Sequence, residues 1–427
     1  MRRCLVATST LLAFALTIAP AWADSGVPAP LPANAGRAPT PAGVTAAIGP
    51  AARAALARGS ALIVDPATGT VLYDLRSGVA RVPASNAKLA TAVAALTVLG
   101  PTSRIPTTVK VSDTDVWLVG GGDPTLASAA GAPGAPTLAD LATQTIAQVG
   151  AHSTLRLHYD ATAFRGPVLA PGWKASYPAV GEVAPVVALM VDQGRRTPRG
   201  KSRVADPARR AATVFAGLLR RAGVTVTSVD ASAAPADATT VATVMSPPVS
   251  RIVQTMLTDS ENTYAEALGH LVGAKASHQP TFAGGAAATR AALASLKLPV
   301  DGYGLVDASG LSTQDRLTAR TLAAILSTVV VGRTPALASI APGLPVAGLT
   351  GTLADRYRTP ATLSGRGYVH AKTGTLTGVV AESGIVLDRT GRQLVFSFLA
   401  PKVGSLNAAR ETLDTLASTL ATCGCGS

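Results

Sequence analysis

The sequence predicts an α/β fold of the α+β kind, with an antiparallel sheet flanked by helices and a large inserted region of mixed structure. Strand-like runs lie near both ends of the 427 residues and helical runs lie between them, which predicts one domain interrupted by an insertion. With 48% hydrophobic and 14% charged residues, the chain can bury a large core and carries too little charge for disorder.

The elements follow in order. Arg2 and Arg3 precede an apolar run over 5–18, and Ala21-Trp22-Ala23 offers the small residues a signal peptidase reads. Residues 1–23 therefore read as a signal peptide cleaved after Ala23, which gives the protein an extracytoplasmic address. An uncleaved anchor fits less well, because the run is short for a span and Pro20 interrupts it. Residues 24–43, rich in Pro, Ala and Gly, read as an exposed mature N-terminus. Strands over 61–65 and 71–75 flank the turn Pro66-Ala67-Thr68-Gly69. Pro83-Ala84-Ser85 opens a helix to about residue 99, where Gly100 stops it. Residues 106–245 alternate strands with helical runs at 136–149 and 207–222. Ser246-Pro247-Pro248 marks a boundary, and 252–272 reads as one long helix. Strands at 368–376, 379–387 and 393–399 form a meander, and a last helix covers 408–421. The predicted organisation is a discontinuous domain, 24–105 with 246–427, around an insertion at 106–245.

Charge and cysteine usage narrow the function. The net charge of +13 falls by two, to +11, when the leader is removed. An exported basic protein would make electrostatic contact with anionic wall polymers or a membrane surface, while the compartment and the 4% aromatic content disfavour nucleic acid. The cluster Arg195, Arg196, Arg199, Lys201 and Arg203 reads as a solvated loop. Cys4 leaves with the leader, so Cys423 and Cys425 remain, in a compartment that permits their oxidation to each other. Two cysteines in C-x-C are too few for zinc, and His152, His158, His270, His278 and His370 form no ligand pair. No metal and no cofactor are expected.

Three short patterns carry the chemistry: Ser85-Asn86-Ala87-Lys88, Ser260-Glu261-Asn262 and Lys372-Thr373-Gly374. With eight lysines, four asparagines and 28 serines, the three together arise by chance roughly once in a hundred such chains. Ser85 and Lys88 lie three apart at a helix start, so hydroxyl and amine share one face. A lysine serves as base only when neutral near pH 7. Burial and a second cation lower its pKa, and Lys372 is the candidate for that cation. Gly374 lets a strand approach the nucleophile helix without an intervening side chain. This is the logic of an acyl-transfer site without histidine.

Decoys calibrate the match. Ser405-Leu406-Asn407 repeats S-x-N but opens a surface helix, and Arg389-Thr390-Gly391 sits in a hairpin turn. The run from Gly194 to Ser202 has the wrong glycine spacing for a phosphate loop. Gly120-Gly121-Gly122-Asp123-Pro124 reads as a tight turn after a strand.

Taken together, these motifs resemble the class C low-molecular-mass penicillin-binding proteins, which are D-alanyl-D-alanine carboxypeptidases and often endopeptidases. The runs 120–126, 307–312 and 370–376 match further signatures of that family, as does a large insertion between the first two motifs. A class A β-lactamase would be shorter and would carry an E-x-x-L-N loop, absent here. The resemblance implies a penicillin-binding/serine β-lactamase-like domain acting on peptidoglycan stem peptides and acylated by β-lactam antibiotics. It implies Ser85 as nucleophile, Lys88 as its base, Ser260 as proton relay, and Asn262 as the group that orients lysine and substrate. Lys372, Thr373, Gly374 and Thr375 would form the strand that holds the terminal carboxylate, and the N–H groups of Ser85 and Thr375 the oxyanion hole. A β-lactamase or esterase on the same scaffold and a non-catalytic wall-binding relative are the competing readings.

Two positions depart from the family pattern. Glu261 replaces the commoner Asp or Asn and is expected to point away. Thr313 stands where Arg usually follows Ser-Gly-Leu-Ser, near the pocket for the peptide's third residue. Arg316 is a nearby candidate to compensate, and Trp173 and Tyr177 read equally as lining residues of that pocket or as core aromatics. Thr313→Arg should therefore raise discrimination for a third-residue carboxylate by about ten- to a hundredfold. The kcat/KM values of a matched peptide pair measure this, and an unchanged strong wild-type preference would place the pocket elsewhere.

Overall fold

A computed structural model describes residues 37–129, 135–197 and 200–426. The expected leader, the first part of the 24–43 segment and Arg199 lie outside the described residues. The first sheet has the order β2-β1-β10-β9-β8 and is antiparallel throughout. Its strands are β1 (Ser60–Asp65), β2 (Thr70–Leu75), β8 (Val369–Leu376), β9 (Val379–Leu387) and β10 (Gln393–Pro401). β9 and β10 are buried along almost their whole length, so they read as continuous apolar runs and not as alternation. Helices cover both faces and supply the two cores.

One face packs against α1 (Pro41–Ala55) and α11 (Leu406–Thr422), burying Ile48, Leu56, Phe396, Phe398 and Leu416. Part of the segment expected to be an exposed tail is thus structural. Thr40 caps α1 by accepting from the Gly43 N–H at 3.0 Å, and its own N–H donates to the Cys425 carbonyl at 2.9 Å. Alanine, glycine and proline made this stretch look like a linker, yet Val44, Ile48, Ala52 and Leu56 recur every four residues on one buried face. Cys423 and Cys425 are joined in a disulfide beside it.

The other face carries the helices α2 (Ala87–Ala94), α6 (Val249–Thr258), α7 (Asn262–Ser277), α8 (Phe282–Ser295) and α9 (Ala319–Val331), with the short α10 (Ile340–Gly343). The single helix expected over 252–272 is two helices. Asp259 ends α6 and Ser260 turns left-handed at φ +59°. Apolar periodicity runs through both because both pack on the same core, so periodicity alone could not reveal the break. The segment expected as one helix from Pro83 opens with a 3-10 turn over Ala84–Asn86 and closes with a π turn over Ala95–Leu99.

Between β2 and α6 the chain forms a second, mixed sheet of order β6-β5-β4-β3-β7. Its strands are β3 (Pro106–Ser112), β4 (Asp115–Gly120), β5 (Thr154–Asp160), β6 (Thr225–Ala231) and β7 (Thr239–Met245), covered by α3 (Leu138–Val149) and α5 (Pro207–Arg221). A one-turn helix, α4 (Tyr177–Val180), follows α3 in the chain. The two crossings are fastened together: the Ser246 N–H donates to the Ile105 carbonyl at 2.9 Å, and Ser246 Oγ accepts from the Ile105 N–H at 2.8 Å.

The loop over 307–312 presses against the turn that holds Ser85. A Cβ at Gly310 would lie 1.9 Å from the Ala84 carbonyl oxygen, and Gly310 has φ +81°. Gly310→Ala should therefore destabilise the protein by at least about 2 kcal/mol. A denaturant midpoint unchanged from wild type would contradict this packing.

Candidate active site

Ser85 sits in the 3-10 turn that opens α2, just after Ala84, whose φ of +47° is strained for a residue with a Cβ. Neighbouring backbone holds that turn in place, since a Cβ at Gly374 would come within 3.0 Å of the Pro83 carbonyl and Ala84 Cβ. One turn on, Lys88 is fully buried. Its Nζ donates to Ser85 Oγ at 3.0 Å, Asn262 Oδ1 at 2.6 Å and the Ser309 carbonyl at 2.7 Å. An ammonium has three protons and here three acceptors. Two of these, a carbonyl and an amide oxygen, can only accept. A neutral amine would give its two protons to them and turn its lone pair toward Ser85 Oγ.

The break between α6 and α7 brings in the second motif. Lys372 Nζ donates to Ser260 Oγ at 2.9 Å and to the Thr373 carbonyl at 2.8 Å. Asn262 Nδ2 donates to the Glu182 carbonyl at 2.8 Å, which leaves Oδ1 for Lys88. β8 is the edge strand of its sheet, and Thr373 and Thr375 line an open groove of about 840 Å³ together with Ser85, Ser260 and Asn262. Thr373 Oγ1 hydrogen bonds Thr352 Oγ1 at 2.7 Å, and Thr375 Oγ1 accepts from Arg410 Nε at 3.3 Å. Of the motif residues, Ser85, Ser260, Asn262, Thr373 and Thr375 thus line one groove, the buried Lys88 and Lys372 bond to its lining, and Gly374 packs against the turn that holds Ser85.

Burial lowers Lys88 to about 8, against a partial upward pull from Asp307 and Glu266. Lys372 is held well below its ordinary value by burial, then by the charges of Lys88 and Arg356. The sequence suggested burial together with the cation Lys372 as what depresses Lys88. Burial is the main cause, and repulsion between the two lysines bears on Lys372.

Sequence reasoning gave no role to the groups beneath Lys88. Glu266, fully buried on α7, accepts the N–H groups of Ala308 (3.1 Å) and Ser309 (2.8 Å), which shapes the loop whose carbonyl holds Lys88. Burial and Asp307 push Glu266 up to about 8. Asp307 in turn accepts from the Gly310 and Ser312 N–H groups and from Trp173 Nε1 at 2.7 Å. The available signal was the position of Glu266, one helical turn beyond Asn262.

Three expectations are corrected. The basic cluster is a solvated loop only in part, because a bridge pairs Arg195 with Arg203 and both line the groove. Arg203 is only 5% exposed, while Arg196 and Lys201 face solvent. Glu261 does not point away, for it lines the groove 3.7 Å from Arg195 Nη2. Arg316 turns onto its own loop, donating to the Thr313 and Asp315 carbonyls at 2.8 Å, while Thr313 is exposed. Trp173 holds Asp307, and Tyr177 is buried against Val183 and Leu311. Of the decoys, Ser405 caps α11 and Arg389-Thr390-Gly391 forms the β9–β10 turn around Asp388.

A serine, two buried lysines and an edge strand in this arrangement define an acyl-serine transferase. The D-Ala-D-Ala carboxypeptidase 3 (S13) family model matches residues 51–202 and 196–422, and the chain belongs to that family. It is a serine-type D-Ala-D-Ala carboxypeptidase. A carboxypeptidase of Mycobacterium tuberculosis is 37% identical over 406 residues, 92% of this chain and 87% of that protein. Carboxypeptidase DacB of Mycolicibacterium smegmatis is 36% identical over 420 residues, 95% and 89% of the two chains. Penicillin binding protein 4 of Haemophilus influenzae shares the fold, with a TM-score of 0.72 at 18% identity over 87% of this chain and 97% of that one.

A base that must be neutral gives a rising pH profile. The rate constant for acylation should climb about tenfold per pH unit and level off near pH 8. Levelling off nearer 10 would mean that the acting lysine is not depressed.

Proposed function

We propose that the protein is exported and hydrolyses the D-alanyl-D-alanine bond of peptidoglycan stem peptides through a Ser85 acyl-enzyme, with endopeptidase action on cross-links at the same site. The observation that carries this reading is the Lys88 amine, held between Ser85 Oγ and two oxygens that only accept. In the proposed cycle neutral Lys88 takes the Ser85 proton as Oγ attacks the penultimate D-alanine carbonyl. The N–H groups of Ser85 and Thr375 receive the developing oxyanion. The proton taken by Lys88 is relayed through Ser260, which Lys372 holds, to the departing amine, so Lys88 is neutral again; Asn262 orients Lys88 and the substrate amide. Water then attacks the ester as Lys88 takes a proton from it, that proton returns to Ser85 Oγ as the ester C–O bond breaks, and the shortened peptide leaves.

A cross-link presents the same kind of bond with a larger leaving group, and the open groove leaves room for one. A β-lactam would open on Ser85 and remain as a slowly hydrolysed ester. Export rests on the leader at 1–23, and the Cys423–Cys425 disulfide suits an oxidising compartment.

A fluorescent penicillin and a digest of wall peptides test the proposal together. Wild type should label and release D-alanine, while Ser85→Ala and Lys88→Ala each lose at least about a thousandfold in acylation rate with the fold intact by circular dichroism. Labelling of Lys88→Ala at the wild-type rate would refute its role as base, and label lost within seconds would favour a β-lactamase. Product masses separate loss of one alanine from separation of two peptides.

A further inference from the structure

The groove end beside Thr373 and Thr375 gathers four basic side chains, Lys372, Arg356, Arg358 and Arg410. Three of them are already engaged. Lys372 is buried and bonded to Ser260 and the Thr373 carbonyl. Arg356 is held by Glu382 at 2.8 Å and Asp414 at 2.6 Å. Arg358 pairs with Asp355 at 2.5 Å. Arg410 differs. Its side chain bonds neutral oxygens, Thr375 Oγ1 and Asn407 Oδ1, each at 3.3 Å, and it has no carboxylate partner among the described residues. The adjacent Glu411 lines the same groove without pairing to it.

The bond to Thr375 has a directional consequence. A hydroxyl that accepts from a guanidinium keeps its own proton free to donate. Thr375 can therefore offer that proton to an anion in the groove, with the Arg410 charge directly behind it. A carboxylate in this position would gain a hydroxyl bond and a cation at once, the arrangement that strengthens hydrogen bonds to charged groups.

On the peptidase reading above, we infer that Arg410 is a specificity-determining residue that selects substrates with a free C-terminal carboxylate. It supplies the positive charge that the buried Lys372 and the internally paired Arg356 do not. It takes no part in the bond-making steps at Ser85.

The test compares two peptides that differ only at the C-terminus, one ending in D-alanine and the other in D-alaninamide. Each is assayed with wild type, Arg410→Gln and Arg410→Lys. Wild type should prefer the free acid. Arg410→Gln should lower kcat/KM for the acid by about ten- to a hundredfold, chiefly through KM, and leave the amide within about twofold. Arg410→Lys, which restores the charge, should recover part of the preference. A loss shared equally by both peptides, or by neither, overturns the inference. Wild type that cleaves both peptides equally refutes the inference but leaves the peptidase reading intact. Wild type that cleaves neither removes both.

Discussion

The buried Lys88 amine is the interaction on which the rest of the site depends. Its three acceptors come from positions separated by 3, 174 and 221 residues, so no local sequence can assemble them. Burying a lysine is unfavourable unless its protons find partners or the group loses its charge. This fold does some of both. The oxygens satisfy the amine, and burial brings its pKa into the range where a useful fraction is neutral. The helix break at Ser260, the strained turn at Ala84 and the Glu266-pinned loop all deliver an oxygen to one nitrogen. Each feature costs stability locally, and together they are explained by that shared contact.

The loops between β5 and α5 have a direct part in this arrangement. The Glu182 carbonyl orients the Asn262 amide, and Thr263 Oγ1 accepts from the Ala184 N–H at 3.3 Å. Trp173 and the Pro171 carbonyl grip Asp307 and Ser312 on the far side of the groove. The segment between β5 and α5 therefore clamps both the second motif and the 307–312 loop, and forms one wall through Arg195 and Arg203. A change at Trp173 would reach Lys88 through Asp307 and the Ser309 carbonyl without touching the substrate.

The legible parts of the sequence were those where local chemistry and final structure coincide. The three terminal strands could be read because their buried runs end in turns built on Gly378 and Asp388. The motif residues could be read because catalysis restricts which side chains serve. The helix break at Ser260 was hidden, since Val253, Leu257, Tyr264 and Leu268 keep a helical rhythm across it while packing on one core. Helix α1 was hidden by a composition typical of linkers. The basic hairpin was misread because charge density suggests solvent, whereas the Arg195–Arg203 bridge depends on a pairing that no spacing rule reports.

The ion network around Arg356 ties the sheet to the last helix. Glu382 lies opposite Thr373 in the β8–β9 ladder and is fully buried. It takes Arg356 Nη2 at 2.8 Å and the Tyr357 hydroxyl at 2.6 Å, and Arg356 reaches on to Asp414 of α11. A buried charge with partners on three elements resists sliding of any one of them, because breaking one contact strands the others in low dielectric. The network thus fixes α11 against β9, which pairs with the strand that lines the groove. Arg410 lies one helical turn before Asp414, so the contact that locks α11 in place also sets where the Arg410 guanidinium meets Thr375. Fold stability and carboxylate selection are coupled there through one turn of helix.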